Sequence, residues 1–150
     1  ILFLKLHQQF GNLYNCYSTI SAMNGAQEIR FDDECMTGPK NQVIESLTRT
    51  VAAFCRADRN VTKMYIGIGS GDDALRAMSN RYDDYKASEG INHMVAIYSS
   101  SSQQNVREVE DELCEYFASH GRNINRTGGG GGRNSAGPNF FVYIAMRRWG

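Results

Sequence analysis

The sequence has no excess of charge of either sign, because 16 Lys and Arg residues balance 16 Asp and Glu residues. A uniformly basic surface, the simplest basis for nucleic-acid binding, is therefore excluded. Long apolar runs are missing too, since no stretch approaches the roughly 20 apolar residues that cross a bilayer. The run Ile1–Leu4 is too short for the hydrophobic segment of a secretion signal. We therefore expect no membrane partner.

The sequence also lacks the spacing of a zinc site or a redox motif. Its four cysteines are far apart, form no C-x-x-C pair and have no histidine at zinc-ligand spacing. Free thiols are kept in reducing compartments, so an intracellular location, cytoplasmic or nuclear, is predicted. No small-molecule cofactor is evident, and the sequence leaves the oligomeric state open.

The length of 150 residues fits one domain with its own core. Hydrophobic periodicity and turn residues predict an α+β fold, with a small mixed or antiparallel sheet flanked by helices. Asn24–Lys40, rich in Gly, Asp and Pro, is predicted to be a loop. The predicted strands are Ile1–Leu6, Leu13–Ile20, Val61–Ile68, His93–Tyr98 and Phe140–Ala145, and the predicted helices are Asn41–Ala57, Asp72–Lys86 and Val106–Ser119.

The last of these helices carries a carboxylate in an unexpected position. Asn105, with Glu108 three residues later, is expected to cap the helix start. On a helical wheel Glu110 then falls within the apolar stripe formed by Val106, Leu113 and Phe117. A buried carboxylate costs several kcal/mol unless it is paired or bound to a cation. Glu110 is therefore a candidate site residue, with a glutamate that pairs with an arginine or reaches solvent as the alternative.

The preceding helix places an arginine in a comparable position. Arg81 lies on the flank of its apolar stripe, whereas Arg76 points away. Arg81 and Glu110 can form a structural salt bridge, or a phosphate site together with a metal-binding carboxylate. The strand Lys63–Ser70, which ends in Gly-x-Gly before this helix, adds weight to the phosphate site.

In their order along the chain, these residues resemble the motifs of GIY-YIG nucleases. The resemblance covers about residues 61–125 and rests on Met64-Tyr65-Ile66-Gly67, Arg81 with Tyr85, Val109-Glu110 with Leu113, and Ile124-Asn125. It implies three segments: N-terminal elements 1–60 of open role, a GIY-YIG-like core 61–125, and a Gly-rich loop with a final strand, 126–150.

The resemblance also implies a role for each matched residue, in a pocket that Tyr65, Arg81 and Glu110 share. Tyr65 matches the second tyrosine motif, and Tyr85 and Asn125 match further family positions. Arg81 would contact the phosphate, with Arg76 as second choice, and Glu110 would bind one Mg²⁺ or Mn²⁺ ion. The tyrosine of the first motif has no clear match, and the candidates Tyr14 and Tyr17 lie about fifty residues before Tyr65.

The end of the chain is rich in glycine and arginine. The run Gly128–Gly132 lacks the Lys-Ser/Thr pair of a P-loop and is expected to be a flexible connection, or else a loop whose Arg126 and Arg133 contact a DNA backbone. Arg147, Arg148 and Trp149 favour nucleic-acid contact.

The leading expectation is thus a metal-dependent DNA endonuclease. One alternative is a non-catalytic relative that binds nucleic acid or protein. Another is an unrelated α+β protein in which Glu110 and Arg81 are a buried ion pair.

Overall fold

The computed structural model describes residues 22–24, 27–123, 125 and 137–149, excluding the side chains of 22–28, 57 and 83–88. The strands are β1 (Ala22–Asn24), β2 (Gln27–Met36), β3 (Val61–Gly71), β4 (His93–Ser100) and β5 (Asn139–Arg148). The helices are α1 (Lys40–Phe54), α2 (Ala74–Glu89) and α3 (Gln103–Tyr116), with a 3-10 turn at Ala57–Arg59. The predicted strands at Ile1–Leu6 and Leu13–Ile20 lie outside the described residues.

The five strands are arranged in the order β1-β2-β4-β5-β3. β2 is parallel to β4, whereas β5 is antiparallel to both of its neighbours, β4 and β3. The expected α+β class with a mixed sheet is confirmed. No helix in the described part of the chain is long and apolar enough to cross a membrane.

Alternation along the strands divides the core into two layers. Met64, Ile66 and Ile68 of β3 belong to a cluster with residues of α1 and α3. Tyr65 belongs to the opposite cluster, which includes residues of α2. Helix α2 therefore covers one face of the sheet, and α1 and α3 cover the other.

The predicted helices are confirmed, and the structure identifies capping residues at their starts and ends. The Asp73 carboxylate accepts a hydrogen bond from the Arg76 backbone N–H at the start of α2, and Gly90 follows α2 with a φ of 66°. For α3 the predicted cap was wrong. Ser102, rather than Asn105, is the N-cap, because its side-chain oxygen accepts from the Asn105 N–H and the helix begins at Gln103.

The predicted loop at Asn24–Lys40 was also wrong for most of its length, because β2 occupies Gln27–Met36. Ile29 and Phe31 are buried with the α2 cluster. Asp32, read as a turn residue in the sequence, is 2% exposed and is paired with His93 on β4. A charged residue can occupy a buried strand position when the neighbouring strand supplies its partner.

Candidate functional site

Glu110 is buried, as the helical wheel predicted. It is 2% exposed, and Val106, Val109 and Leu113 beside it are 0% exposed. Its Oε1 atom has no hydrogen-bond partner, and none of the described ion pairs includes Glu110. The alternative in which Glu110 forms a direct ion pair with Arg81 is therefore wrong.

Its surroundings favour the protonated form of Glu110. Burial, together with the charge of Asp111, raises the pKa of its carboxyl to about 8. The charges of Arg107 and Arg81 oppose this rise only in part. Glu110 is therefore largely neutral at pH 7 unless a cation or a further positive group approaches it.

Arg81 lies on α2, half-buried, with its Nε atom inaccessible to solvent. Arg76, on the same helix, is exposed. The predicted difference between the two arginines is therefore confirmed. The influence of Arg81 on the pKa of Glu110 shows that the two charges act on each other without a direct ion pair.

Tyr65 lies beside a second tyrosine that the sequence analysis did not identify. Gly67 on β3 is paired with Tyr143 on β5. A Cβ atom at residue 67 would lie 2.5 Å from Tyr143 Oη and 2.7 Å from Tyr65 Cε1. The missing side chain at Gly67 thus lets the two tyrosines meet on the α2 face of the sheet.

The helices that carry Arg81 and Glu110 lie on opposite faces of the sheet. Arg81 and Glu110 therefore do not share a pocket on a single face of the sheet. Both helices nevertheless reach the same edge strand. β3 is the last strand of the sheet and contacts both α2 and α3.

Asn125 completes the backbone hydrogen bonds at the same edge. Its Oδ1 accepts from the Ile66 N–H at 3.0 Å, and its Nδ2 donates to the Ile66 carbonyl at 2.8 Å. The Met64 N–H donates to the Arg122 carbonyl nearby. The amide of Asn125 thus acts as a strand partner for β3.

We expect Asn125→Ala to lower the free energy of unfolding by about 1–3 kcal/mol, because it leaves the backbone groups of Ile66 unpaired. Urea unfolding measures the loss, and faster hydrogen exchange at the Ile66 amide locates it. Asn80→Ala, at an exposed position of α2, is the control. Equal stability of the two variants would contradict this role.

The structure does not describe the side chains of the remaining predicted site residues. Tyr14, Tyr17, Arg126 and Arg133 lie outside the described residues. Tyr85 belongs to α2 by its backbone, but its side chain is not described.

Within the described residues, no group of three or more His, Cys, Asp or Glu side chains could hold a metal ion. The unpartnered Oε1 of Glu110 nevertheless suits a hard divalent cation, which prefers oxygen ligands and keeps several waters. A metal at this position would thus have a single carboxylate ligand from the described residues.

A cavity of about 760 Å³ opens at the carboxyl ends of β2 and β4. Thr37, Lys40, Ser99 and Asn139 are among the residues that line it. None of the predicted site residues that the structure describes lines it.

A buried Asp–His pair is a second feature that the sequence analysis missed. His93 Nε2 lies 2.7 Å from Asp32 Oδ2, and the two residues are 4% and 2% exposed. Arg148 Nη1 lies 3.3 Å from His93 Nδ1. Because an arginine only donates, Nδ1 accepts and Nε2 carries the proton that is donated to Asp32. The alternation of Ile29 and Phe31 was a sequence signal for the strand β2, but not for the burial of Asp32 or its pairing with His93.

No family model, curated protein or solved structure matches this chain.

Proposed function

We propose that this protein is a metal-dependent endonuclease that hydrolyses phosphodiester bonds of DNA. The observation that carries the proposal is the buried, unpartnered Oε1 of Glu110. Burial of a carboxylate is costly unless a cation compensates it. One Mg²⁺ or Mn²⁺ ion on Glu110 would provide that compensation.

The proposed roles follow from the chemistry of each side chain. The Tyr65 phenol relays a proton from the attacking water to bulk solvent, and the packed ring of Tyr143 restricts where the Tyr65 ring can lie. The Arg81 guanidinium stabilises charge on the phosphate. Glu110 would hold one Mg²⁺ or Mn²⁺ ion, which when bound would supply electrostatic stabilisation of the leaving oxygen.

A second candidate function is a binding module that does not cut. The raised pKa of Glu110, about 8, keeps the carboxyl protonated at neutral pH in the absence of a cation. Asn125 is engaged with the backbone of Ile66. Both observations favour a non-catalytic relative that binds nucleic acid or protein.

Plasmid nicking separates the two candidates. We expect the wild-type protein to convert supercoiled plasmid to the nicked form with Mg²⁺ and not with EDTA. Glu110→Gln keeps the size of the side chain and removes the ligand charge, so nicking should slow by at least about 100-fold.

Glu108→Gln is the matched control, since Glu108 is an exposed carboxylate on the same helix. It should nick at the wild-type rate. Equal nicking by wild-type protein and Glu110→Gln, or no nicking by either, would reject the endonuclease and leave the binding module.

We also propose an intracellular location, which would give the enzyme access to DNA. Cys35, Cys55 and Cys114 are free thiols. Burial raises the pKa of the Cys114 thiol to about 12, so this group is unreactive at neutral pH.

A further inference from the structure

Two arginines contact the buried Asp–His pair where β2 begins and β5 ends, and a third, Arg59, lies in the adjoining turn. Arg30 Nε lies 2.7 Å from Asp32 Oδ2. Arg148 bonds His93 through Nη1, and its Nε donates to the Arg59 carbonyl at 3.1 Å. A chain of hydrogen bonds thus runs from Arg30 on β2 to the turn that carries Arg59.

The charges in this cluster do not cancel. Burial lowers the pKa of His93, so the imidazole is neutral at pH 7. The three arginines therefore outnumber the carboxylates of Asp32, which is buried, and Glu34, which is exposed. Asp58, in the same turn as Arg59, is paired with Arg56. Among the described ion pairs, none includes Arg59 or Arg148.

Two of these arginines are also held in place before any ligand arrives. The Asp32 carboxylate fixes Arg30, whose side chain is nevertheless 52% exposed. His93 fixes Arg148, and Arg59 is exposed. Cations held in place lose less conformational entropy when they bind an anion.

An exposed aromatic residue adjoins the arginines. Trp149 follows Arg148 in the chain and is 67% exposed. Its backbone N–H donates to the Asn60 carbonyl at 3.1 Å, which fixes its backbone beside Arg59. An exposed indole next to several guanidinium groups suits a strand whose phosphates and unpaired bases are both accessible.

We propose that this end of the sheet binds single-stranded DNA, with phosphates on Arg30, Arg59 and Arg148 and a base stacked on Trp149. The inference rests on the proposed function, which names DNA as the partner. It adds the surface that holds the DNA strand, and it adds that the DNA is single-stranded at this surface.

Fluorescence anisotropy with a labelled single-stranded 20-mer in EDTA tests the proposal. Trp149→Ala should weaken binding roughly 5- to 100-fold, as expected for loss of a stacked base. Arg59→Ala should weaken binding and lower the slope of log Kd against log salt concentration by about 0.7. Both variants shorten exposed side chains and leave the backbone hydrogen bonds in place.

Arg49→Ala is the matched control, because it removes the same charge from an exposed position of α1. It should change Kd by less than about twofold. The duplex of the same sequence should bind more weakly and be insensitive to Trp149→Ala.

The proposal is overturned if the wild-type protein does not bind, if Arg49→Ala matches Arg59→Ala, or if Trp149→Ala leaves Kd unchanged. Because EDTA prevents cleavage, this binding experiment can reject the binding surface without rejecting the endonuclease, and plasmid nicking can do the reverse. Arg59-dependent binding without plasmid nicking rejects only the endonuclease. Nicking with unaltered binding by the Arg59 and Trp149 variants rejects only this surface.

Discussion

Between pH 5 and pH 8, Glu110 is expected to reduce the free energy of unfolding of the wild-type protein by roughly 4 kcal/mol. The pKa of its carboxyl is raised from 4.5 to about 8 by burial. Over this range the Glu110 carboxyl loses its proton in the unfolded chain but largely keeps it in the folded protein. Stability is therefore lost as the pH rises, by about 1.4 kcal/mol per pH unit.

Glu110→Gln isolates this contribution, because glutamine has the same size and does not titrate. The variant should be more stable than the wild-type protein by about 1 kcal/mol at pH 5 and by roughly 4 kcal/mol at pH 8. Urea unfolding at unit intervals of pH measures the difference, and Glu108→Gln should follow the wild-type curve. Parallel curves for wild-type protein and Glu110→Gln would contradict the raised pKa.

The contribution of His93 to the pH dependence of stability has the opposite sign. It cancels when the wild-type protein is compared with Glu110→Gln. Burial lowers its pKa below 6.5, so its contribution is present above that pH and is lost as the pH falls through the folded pKa. The difference between the wild-type protein and Glu110→Gln is therefore more informative than either curve alone.

The same pair of proteins tests the metal site without reference to activity. Mg²⁺ that binds Glu110 in the folded state should raise the stability of the wild-type protein at pH 8. The Glu110→Gln variant should gain less. Equal gains would place the ion elsewhere.

Gly69→Ala is expected to lower the free energy of unfolding by about 3 kcal/mol. A Cβ atom at residue 69 would lie 2.8 Å from the Ala77 carbonyl oxygen and 3.2 Å from its carbon. Both are backbone atoms of α2, so relief of the clash requires the helix to move away from the sheet. That movement would loosen the contacts of Ala74 and Met78, which are 2% and 1% exposed.

Gly121→Ala is the control, since no atom lies within 4 Å of a Cβ placed there. It should change stability by less than about 0.5 kcal/mol. Urea unfolding of both variants at one pH measures the contrast. Similar changes in the two variants would contradict the close approach of β3 to α2 at residue 69.

The parts of the fold that depend on local pattern were predictable. The burial of Glu110 followed from its spacing to Val106 and Leu113, because a helix repeats every 3.6 residues. The contrast between Arg81 and Arg76 followed for the same reason.

The parts that depend on distant pairing were not predictable. Asp32 resembled a turn residue because its partner His93 is 61 residues away. Tyr143 could not be placed beside Tyr65, because nothing in the sequence indicates that β5 pairs with β3. The start of α3 was misplaced because Ser102 and Asn105 are both good caps, and tertiary contacts decide between them.

The position of β5 has a consequence for synthesis of the chain on the ribosome. This strand is the last of the described elements to emerge, yet it lies between β4 and β3. Until residues 139–148 leave the exit tunnel, the nascent chain presents the unpaired inner edges of both strands, each a template for pairing with another chain. We infer that the sheet closes after synthesis of β5, in a single late step that joins segments far apart in sequence.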